Sequence, residues 1–241
     1  MATATRPTAV VLGAGPGLGM SVAHRLGREG YDVALVSRTS TRHAGYLASL
    51  ADAGITAEAF AGDVRDGVLA TLDAITERFG AIDFVYYGPA GTDPDSFPTS
   101  ITEADSAAVA RAMSWVYPAV DVVGRVLPGM RERGRGGLLF AGGLSSVRPM
   151  PALGALAVSS AALRNYAVTL HAGLDGTGVY AGSLTIGGVI ERGDIHRLVT
   201  SRPEEFGDLG GRTLDPDDLA DVAWKLYSGR TEAEAVVSVF D

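Results

Sequence analysis

The chain has 241 residues, of which 46% are hydrophobic and 20% are charged, and it contains no cysteine. These proportions are typical of a folded globular protein, and the lack of cysteine excludes disulfides, thiolate nucleophiles and cysteine-bound metals. The formal net charge of −8 argues against nucleic acid and against a membrane surface as partners, because both usually require basic patches.

Features that the sequence lacks bear on the location of the protein and on whether it binds a metal. Residues 1–8 have no apolar signal core, and no apolar run approaches the roughly 18 residues of a membrane-spanning helix. We therefore expect a cytoplasmic protein. The four histidines show no metal-ligand spacing, so no metal site is expected.

Short apolar runs alternate with helical patterns along the whole chain. The predicted strands cover residues 9–12, 33–36, 57–60, 82–87, 138–141, 179–186 and 235–240. Between them, apolar residues recur every three or four positions, as Leu18, Val22 and Leu26 do, which is typical of helices packed on one face. This order predicts an α/β fold, a Rossmann-like doubly wound parallel sheet with helices on both faces, in one domain spanning residues 1–241.

Two segments depart from this simple alternation. The helix predicted over residues 109–127 is apolar on nearly all sides, which indicates burial on more than one side. Residues 187–213 form the longest stretch without clear periodicity, and we interpret them as a lid over a substrate site.

A glycine-rich loop follows the first strand and opens the first helix, which predicts a dinucleotide site. Glycines allow a tight turn and a close backbone approach to a pyrophosphate, and the helix N-terminus offers free N–H groups. The alternative is a plain turn in a chain with 32 glycines. The residues expected to bind the cofactor here are Gly13, Gly15, Pro16, Gly17, Leu18 and Gly19.

The end of the second predicted strand bears on the choice of cofactor. An acidic residue at this point would bind the ribose 2′-hydroxyl of NAD(H), but this chain has Ser37 and Arg38, with Arg42 close behind. A guanidinium can pair with a 2′-phosphate, and a serine adds a neutral donor. These residues favour NADP(H) over NAD(H), the alternative being that Arg38 is merely solvated.

Together these features resemble the short-chain dehydrogenase/reductase family over nearly the whole length of the chain. The family spacing Gly-x-x-x-Gly-x-Gly is matched by Gly13, Gly17 and Gly19. The resemblance also implies cofactor contacts at an Asp-Val pair after the third strand and at the turn after the fourth. In this chain those positions hold Asp63, Val64, Gly88 and Pro89.

The resemblance does not extend to the family's catalytic residues. The positions of its serine, tyrosine and lysine hold Gly143, Leu156 and Ser160, and the only lysine of the chain is Lys225. Two substitutes are considered. Ser145 follows the fifth strand and could polarise a carbonyl, or it could be a turn serine. Tyr87 ends the fourth strand and could offer a phenol near a nicotinamide, or it could be a packed aromatic residue.

Three functions remain open at this point. The first is an NADP(H)-dependent oxidoreductase acting on a carbonyl or alcohol of a small-molecule substrate, with a non-standard proton donor. The second is a non-redox enzyme on the same fold, such as a dehydratase, cyclase or isomerase. The third is a catalytically silent nucleotide-binding protein. The resemblance also implies a homodimer or homotetramer formed through the fourth and fifth predicted helices, over residues 109–127 and 158–174.

Overall fold

The computed structural model describes residues 6–91, 98–206 and 209–240. In this part of the chain, seven parallel strands form one sheet in the order β3-β2-β1-β4-β5-β6-β9, and β7 pairs with β8 separately. The strands are β1 (Thr8–Leu12), β2 (Asp32–Ser37), β3 (Ala57–Ala61), β4 (Phe84–Tyr87), β5 (Gly136–Gly143), β6 (Val179–Gly187), β7 (Val189–Ile190), β8 (Thr213–Leu214) and β9 (Glu234–Ser238).

Helices cover both faces of the sheet, which confirms the predicted doubly wound α/β class. They are α1 (Leu18–Arg28), α2 (His43–Asp52), α3 (Val68–Phe79), α4 (Ser106–Met113), α5 (Tyr117–Glu132), α6 (Gly154–Gly173), α7 (Asp194–Ser201), α8 (Pro203–Phe206) and α9 (Pro216–Gly229). One apolar cluster joins α1 and α9 to the sheet, and a second joins α3, α5 and α6 to the other face. The strands are apolar runs because both of their faces are buried.

The sheet order positions the site. The chain leaves β1 on one side towards β2 and β3, and later returns to the other side of β1 with β4. The connections after β1 and β4 therefore diverge at the carboxyl edge of the sheet, and such a switch point leaves a crevice in which ligands of open α/β sheets bind.

The long helix predicted over residues 109–127 is wrong in one respect, because two helices occupy this region. α4 ends at Met113, and the amide of Val116 donates to the carbonyl of Met113 at 2.8 Å in a tight turn. Pro118 lies in the first turn of α5, where its missing N–H costs nothing, whereas inside one continuous helix it would lack a backbone hydrogen bond and its ring would clash with the carbonyl four residues before it. The break therefore has a local cause.

The segment predicted as a lid has more regular structure than its sequence suggests. It contains β7, α7, α8 and the start of β8, while residues 207 and 208 lie outside the described residues. Across the described ranges, no helix combines the length and the apolar character needed to cross a membrane. The same ranges contain no cluster of three or more histidine and carboxylate side chains able to hold a metal ion.

Candidate active site

The glycine loop connects β1 to the start of α1 and is held against β2. The amides of Gly13 and Ala14 both donate to the carbonyl of Val36, at 3.0 and 2.9 Å. No side chain caps the N-terminus of α1, and its first turn carries no acidic residue. The first N–H groups of a helix lack partners within the helix, so this end offers donors and a positive dipole end to an anion.

Two glycines of this loop are required by close approaches to the backbone of other segments. Gly13 has φ +98°, and a Cβ there would lie 2.6 Å from the carbonyl oxygen of Gly88, in the connection after β4. A Cβ on Gly17 would lie 3.0 Å from the carbonyl oxygen of Glu191 and 3.2 Å from Cα of Gly193. The loop therefore lies between the β4 connection and the start of the predicted lid, and both neighbours can take part in a site there.

The polar side chains at the end of β2 and just after it already have partners. The hydroxyl of Ser37 lies 2.8 Å from Nε2 of His43 and donates to the carbonyl of Thr39 at 3.1 Å. Arg38 is exposed, and its positive charge contributes to lowering the pKa of Asp63. The guanidinium of Arg42 reaches across to α7, where it binds the carboxylate of Asp194.

Asp63 lies after β3 in an ion pair with its near neighbour. Oδ1 accepts from the amide and from Nε of Arg65, at 2.9 and 3.1 Å, and Oδ2 accepts from Nη2 at 2.7 Å. The hydrogen bond from the Arg65 side chain is the main cause that holds the pKa of Asp63 below its ordinary value. The guanidinium of Arg65 also stacks 4.3 Å from the ring of Trp115, so the carboxylate is ionised and held in place at neutral pH.

The structure brings together three of the residues singled out around the catalytic positions. Gly143 ends β5, and a Cβ on it would lie 3.8 Å from Oγ of Ser145 and 3.9 Å from Oγ of Ser160. The hydroxyl of Ser145 is buried and has no hydrogen-bond partner among the groups that the structure describes. Two hydroxyls thus flank the point from which a side chain at position 143 would start.

The two other residues considered at this edge contribute no free polar group. Leu156 is 36% exposed on α6, and its hydrocarbon side chain has no proton to transfer. Tyr87 is buried and packs towards α5, while Tyr86 packs on the opposite sheet face, as the alternation of side chains along a strand predicts. The hydroxyl of Tyr87 donates to the carbonyl of Trp115 at 2.7 Å, and burial raises its pKa. The geometry therefore supports a packed aromatic residue and not a phenol facing a ligand.

Comparison with known proteins decides the family. The family model described as short chain dehydrogenase matches residues 7–193. The chain belongs to the short chain dehydrogenase family. It is 27% identical over 235 residues to 2-(S)-hydroxypropyl-CoM dehydrogenase 3 of Xanthobacter autotrophicus, covering 90% of this chain and 88% of that protein.

Solved structures show the same fold at lower identity. The L-sorbose reductase of Gluconobacter frateurii, solved with NADPH and L-sorbose, superposes with a TM-score of 0.82 at 23% identity, covering 97% of this chain and 95% of the reductase. YwfH, an NADPH-dependent reductase involved in bacilysin biosynthesis, superposes with a TM-score of 0.84 at 17% identity and covers 97% of both chains.

The short chain dehydrogenase match ends at residue 193, just before α7. Sequence reasoning missed two features of the site, one involving α7 and the other involving α6. Arg42 and Asp194 are 152 positions apart, and no periodicity or motif connects them. The sequence assigns Ser160 to the family's lysine position or to helix capping and packing, and it does not predict that the hydroxyls of Ser160 and Ser145 both approach Gly143. Both features arise when distant segments meet at the carboxyl edge of the sheet.

Proposed function

We propose that this short chain dehydrogenase is an NADP(H)-dependent oxidoreductase of a small carbonyl or alcohol substrate. The observation that carries the proposal is the uncapped, acid-free N-terminus of α1, which opens at the crevice between the β1 and β4 connections. An anionic pyrophosphate is the ligand that such a helix end binds best. The NADPH held by the L-sorbose reductase on the same fold is consistent with this assignment.

The residues present fit this cofactor. A Cβ on Gly15 would have no atom closer than 4.0 Å, so the middle of the loop is open to a ligand. The free N–H groups at the start of α1 would hold the pyrophosphate, Asp63 and Val64 would lie by the adenine, and Arg38 would face a 2′-phosphate. NADP(H) would supply or accept the hydride when bound.

We further propose that Ser145 polarises the substrate carbonyl in place of the family's tyrosine and lysine. The hydroxyl of Ser145 is buried without a hydrogen-bond partner among the described residues. Such a group costs folding free energy, and a ligand that supplies the missing hydrogen bond would recover that energy. A carbonyl oxygen between Ser145 and Ser160 could accept from both, and the proton would then come from water. Gly143 and Leu156, at the family's serine and tyrosine positions, have no proton to donate.

Binding and turnover test the two parts of the proposal separately. The purified protein is titrated with NADPH and with NADH by calorimetry, and NADPH oxidation is then followed by absorbance against a panel of aldehydes and ketones. We expect tighter binding of NADPH, and turnover with at least one carbonyl. Binding without turnover would favour the silent nucleotide-binding protein, and binding of neither nucleotide would favour a non-redox enzyme or a scaffold.

Serine variants then test the proposed donor. Ser145→Ala is expected to lower kcat by about 10- to 100-fold with little change in NADPH affinity, because a hydrogen bond to the reacting oxygen acts mainly in the transition state. Ser146→Ala is the matched control, since its hydroxyl is also buried and without a partner in the described chain. Equal kcat values for the two variants would remove Ser145 from the proposed mechanism.

A further inference from the structure

Arg42 and Asp194 form a two-point ion pair that joins α2 to α7. Nη1 of Arg42 lies 2.7 Å from Oδ2 of Asp194, and Nη2 lies 2.9 Å from Oδ1. Arg42 is the N-cap residue of α2 and Asp194 is the first residue of α7. Both side chains remain partly exposed, at 49% and 39%, so the pair lies at the surface where a ligand could reach it.

The pair spans the region in which the adenosine end of a dinucleotide binds on this fold. The ribose 2′-position lies by the residues that follow β2, and Arg42 belongs to that connection. On the other side, the residues leading into α7 cover the glycine loop, where Gly193 approaches Gly17. The ion pair between Arg42 and Asp194 therefore connects the two segments that flank this part of the crevice.

Asp194 occupies the terminal fork of Arg42 that a 2′-phosphate would also use. Arginine binds carboxylate and phosphate with the same planar fork, and here both terminal nitrogens are already directed at Asp194. A 2′-phosphate approaching this fork would also meet the negative charge of the carboxylate. The hydrogen bond from Arg42 is the main cause that lowers the pKa of Asp194, so the carboxylate stays charged at neutral pH.

We propose that Asp194 is a specificity-determining residue that competes with the ribose 2′-phosphate of NADP(H) for Arg42. Binding of NADP(H) then requires the pair to open, whereas NAD(H), which has no 2′-phosphate, binds with the pair intact. This inference rests on the proposed nucleotide-binding function. It makes Asp194 a residue that lowers the preference for NADP(H) that Arg38 and Arg42 would otherwise produce.

The test compares nucleotides with and without the 2′-phosphate. Wild-type protein and Asp194→Asn are titrated by calorimetry with NADPH, NADH, adenosine 2′,5′-bisphosphate and adenosine 5′-monophosphate. We expect Asp194→Asn to bind the two 2′-phosphorylated ligands about fivefold more tightly, the scale of an exposed ion pair, and to bind the other two as the wild-type protein does.

Two further variants separate the specific effect from a general change in charge. Asp73→Asn removes the same charge from an exposed pair with Arg125, between α3 and α5 on the opposite face of the sheet, and should leave all four affinities unchanged. In the Arg42→Gln background, Asp194→Asn should bring no gain for the 2′-phosphorylated ligands, because the group under competition is gone.

The outcomes distinguish this inference from the proposed function. If Asp194→Asn leaves the ratio of NADPH to NADH affinity unchanged or lowers it, the inference is overturned, while binding by the wild-type protein would still support the nucleotide site. A gain of the same size in Asp73→Asn would overturn it as well. If neither the wild-type protein nor Asp194→Asn binds any of the four ligands, both proposals fail.

Discussion

Arg164 of α6 and Glu234 of β9 form a two-point ion pair in which Nε and Nη2 each lie 2.5 Å from a carboxylate oxygen. Thr185, which is fully buried in β6, also donates its hydroxyl to Oε1 of Glu234 at 2.9 Å. One carboxylate therefore connects the edge strand β9 to the neighbouring strand and to the helix packed beside them.

This pair makes stability depend on pH in a definite direction. The pKa of Glu234 is lowered from its ordinary value of 4.5, chiefly by the hydrogen bond from Arg164. Its contribution is therefore fully present above pH 4.5 and is lost as the pH falls through the lower value of the folded protein. We expect Glu234→Gln to lose about 1–2 kcal/mol of unfolding free energy at pH 7 and to converge with the wild-type protein in acid.

Urea unfolding at neutral and acidic pH measures this convergence. Glu58→Gln is the matched control, because its pair with Arg78 is more exposed and should contribute under about 0.5 kcal/mol at either pH. A constant gap between Glu234→Gln and the wild-type protein over the whole pH range would contradict the assignment.

Gly13 and Gly30 are glycines for different structural reasons. Both have positive φ, but a Cβ on Gly13 would meet the carbonyl of Gly88, whereas one on Gly30 would meet nothing within 4 Å. Gly30→Ala should lose only the left-handed conformational term, about 1 kcal/mol, and retain nucleotide binding. Gly13→Ala should lose more than about 3 kcal/mol, and nucleotide binding with it. Equal losses by chemical denaturation would mean that the β4 connection yields freely.

Tyr87→Phe tests whether the phenol is structural. Removing its hydroxyl leaves the carbonyl of Trp115 without that donor, so we expect a loss of about 1 kcal/mol in unfolding free energy. Nucleotide affinity and any kcat should stay within about twofold of the wild-type values, since the hydroxyl is bound to the carbonyl of Trp115 and not offered to a ligand. A fall in kcat without a fall in stability would restore Tyr87 as a catalytic candidate.

The oligomeric state is predicted from the outer face of α5. Tyr117 and Val120 are 57% and 43% exposed there, which suits a surface covered by a second copy. We expect light scattering to show a homodimer or homotetramer. Val120→Lys should raise the dissociation constant of this assembly by about tenfold or more, because the substitution buries a charge in the interface. Leu69→Lys, on the 45% exposed Leu69 of α3, should leave the assembly unchanged. A monomer at micromolar concentration in the wild-type protein would refute the prediction.

The sequence alone determined the parts of the fold that depend on local patterns. Strands buried on both faces appear as apolar runs, and amphipathic helices repeat every three or four residues, so the doubly wound class was predicted correctly. The glycine loop was also predicted in its context, between β1 and α1, because strand, turn and helix follow one another in the chain. The break before Pro118 had a local cause too, but the apolar pattern that runs through it masked the two helices.

Only the tertiary structure decided which polar groups meet at the crevice. The partner of Arg42 lies on α7, and the hydroxyls of Ser145 and Ser160 both approach Gly143 because β5 and α6 pack side by side. Tyr87 was assigned to the core by the carbonyl of Trp115 and the packing of α5 on its sheet face. Such contacts depend on distances between residues far apart in the chain, and periodicity and spacing carry no information about those distances.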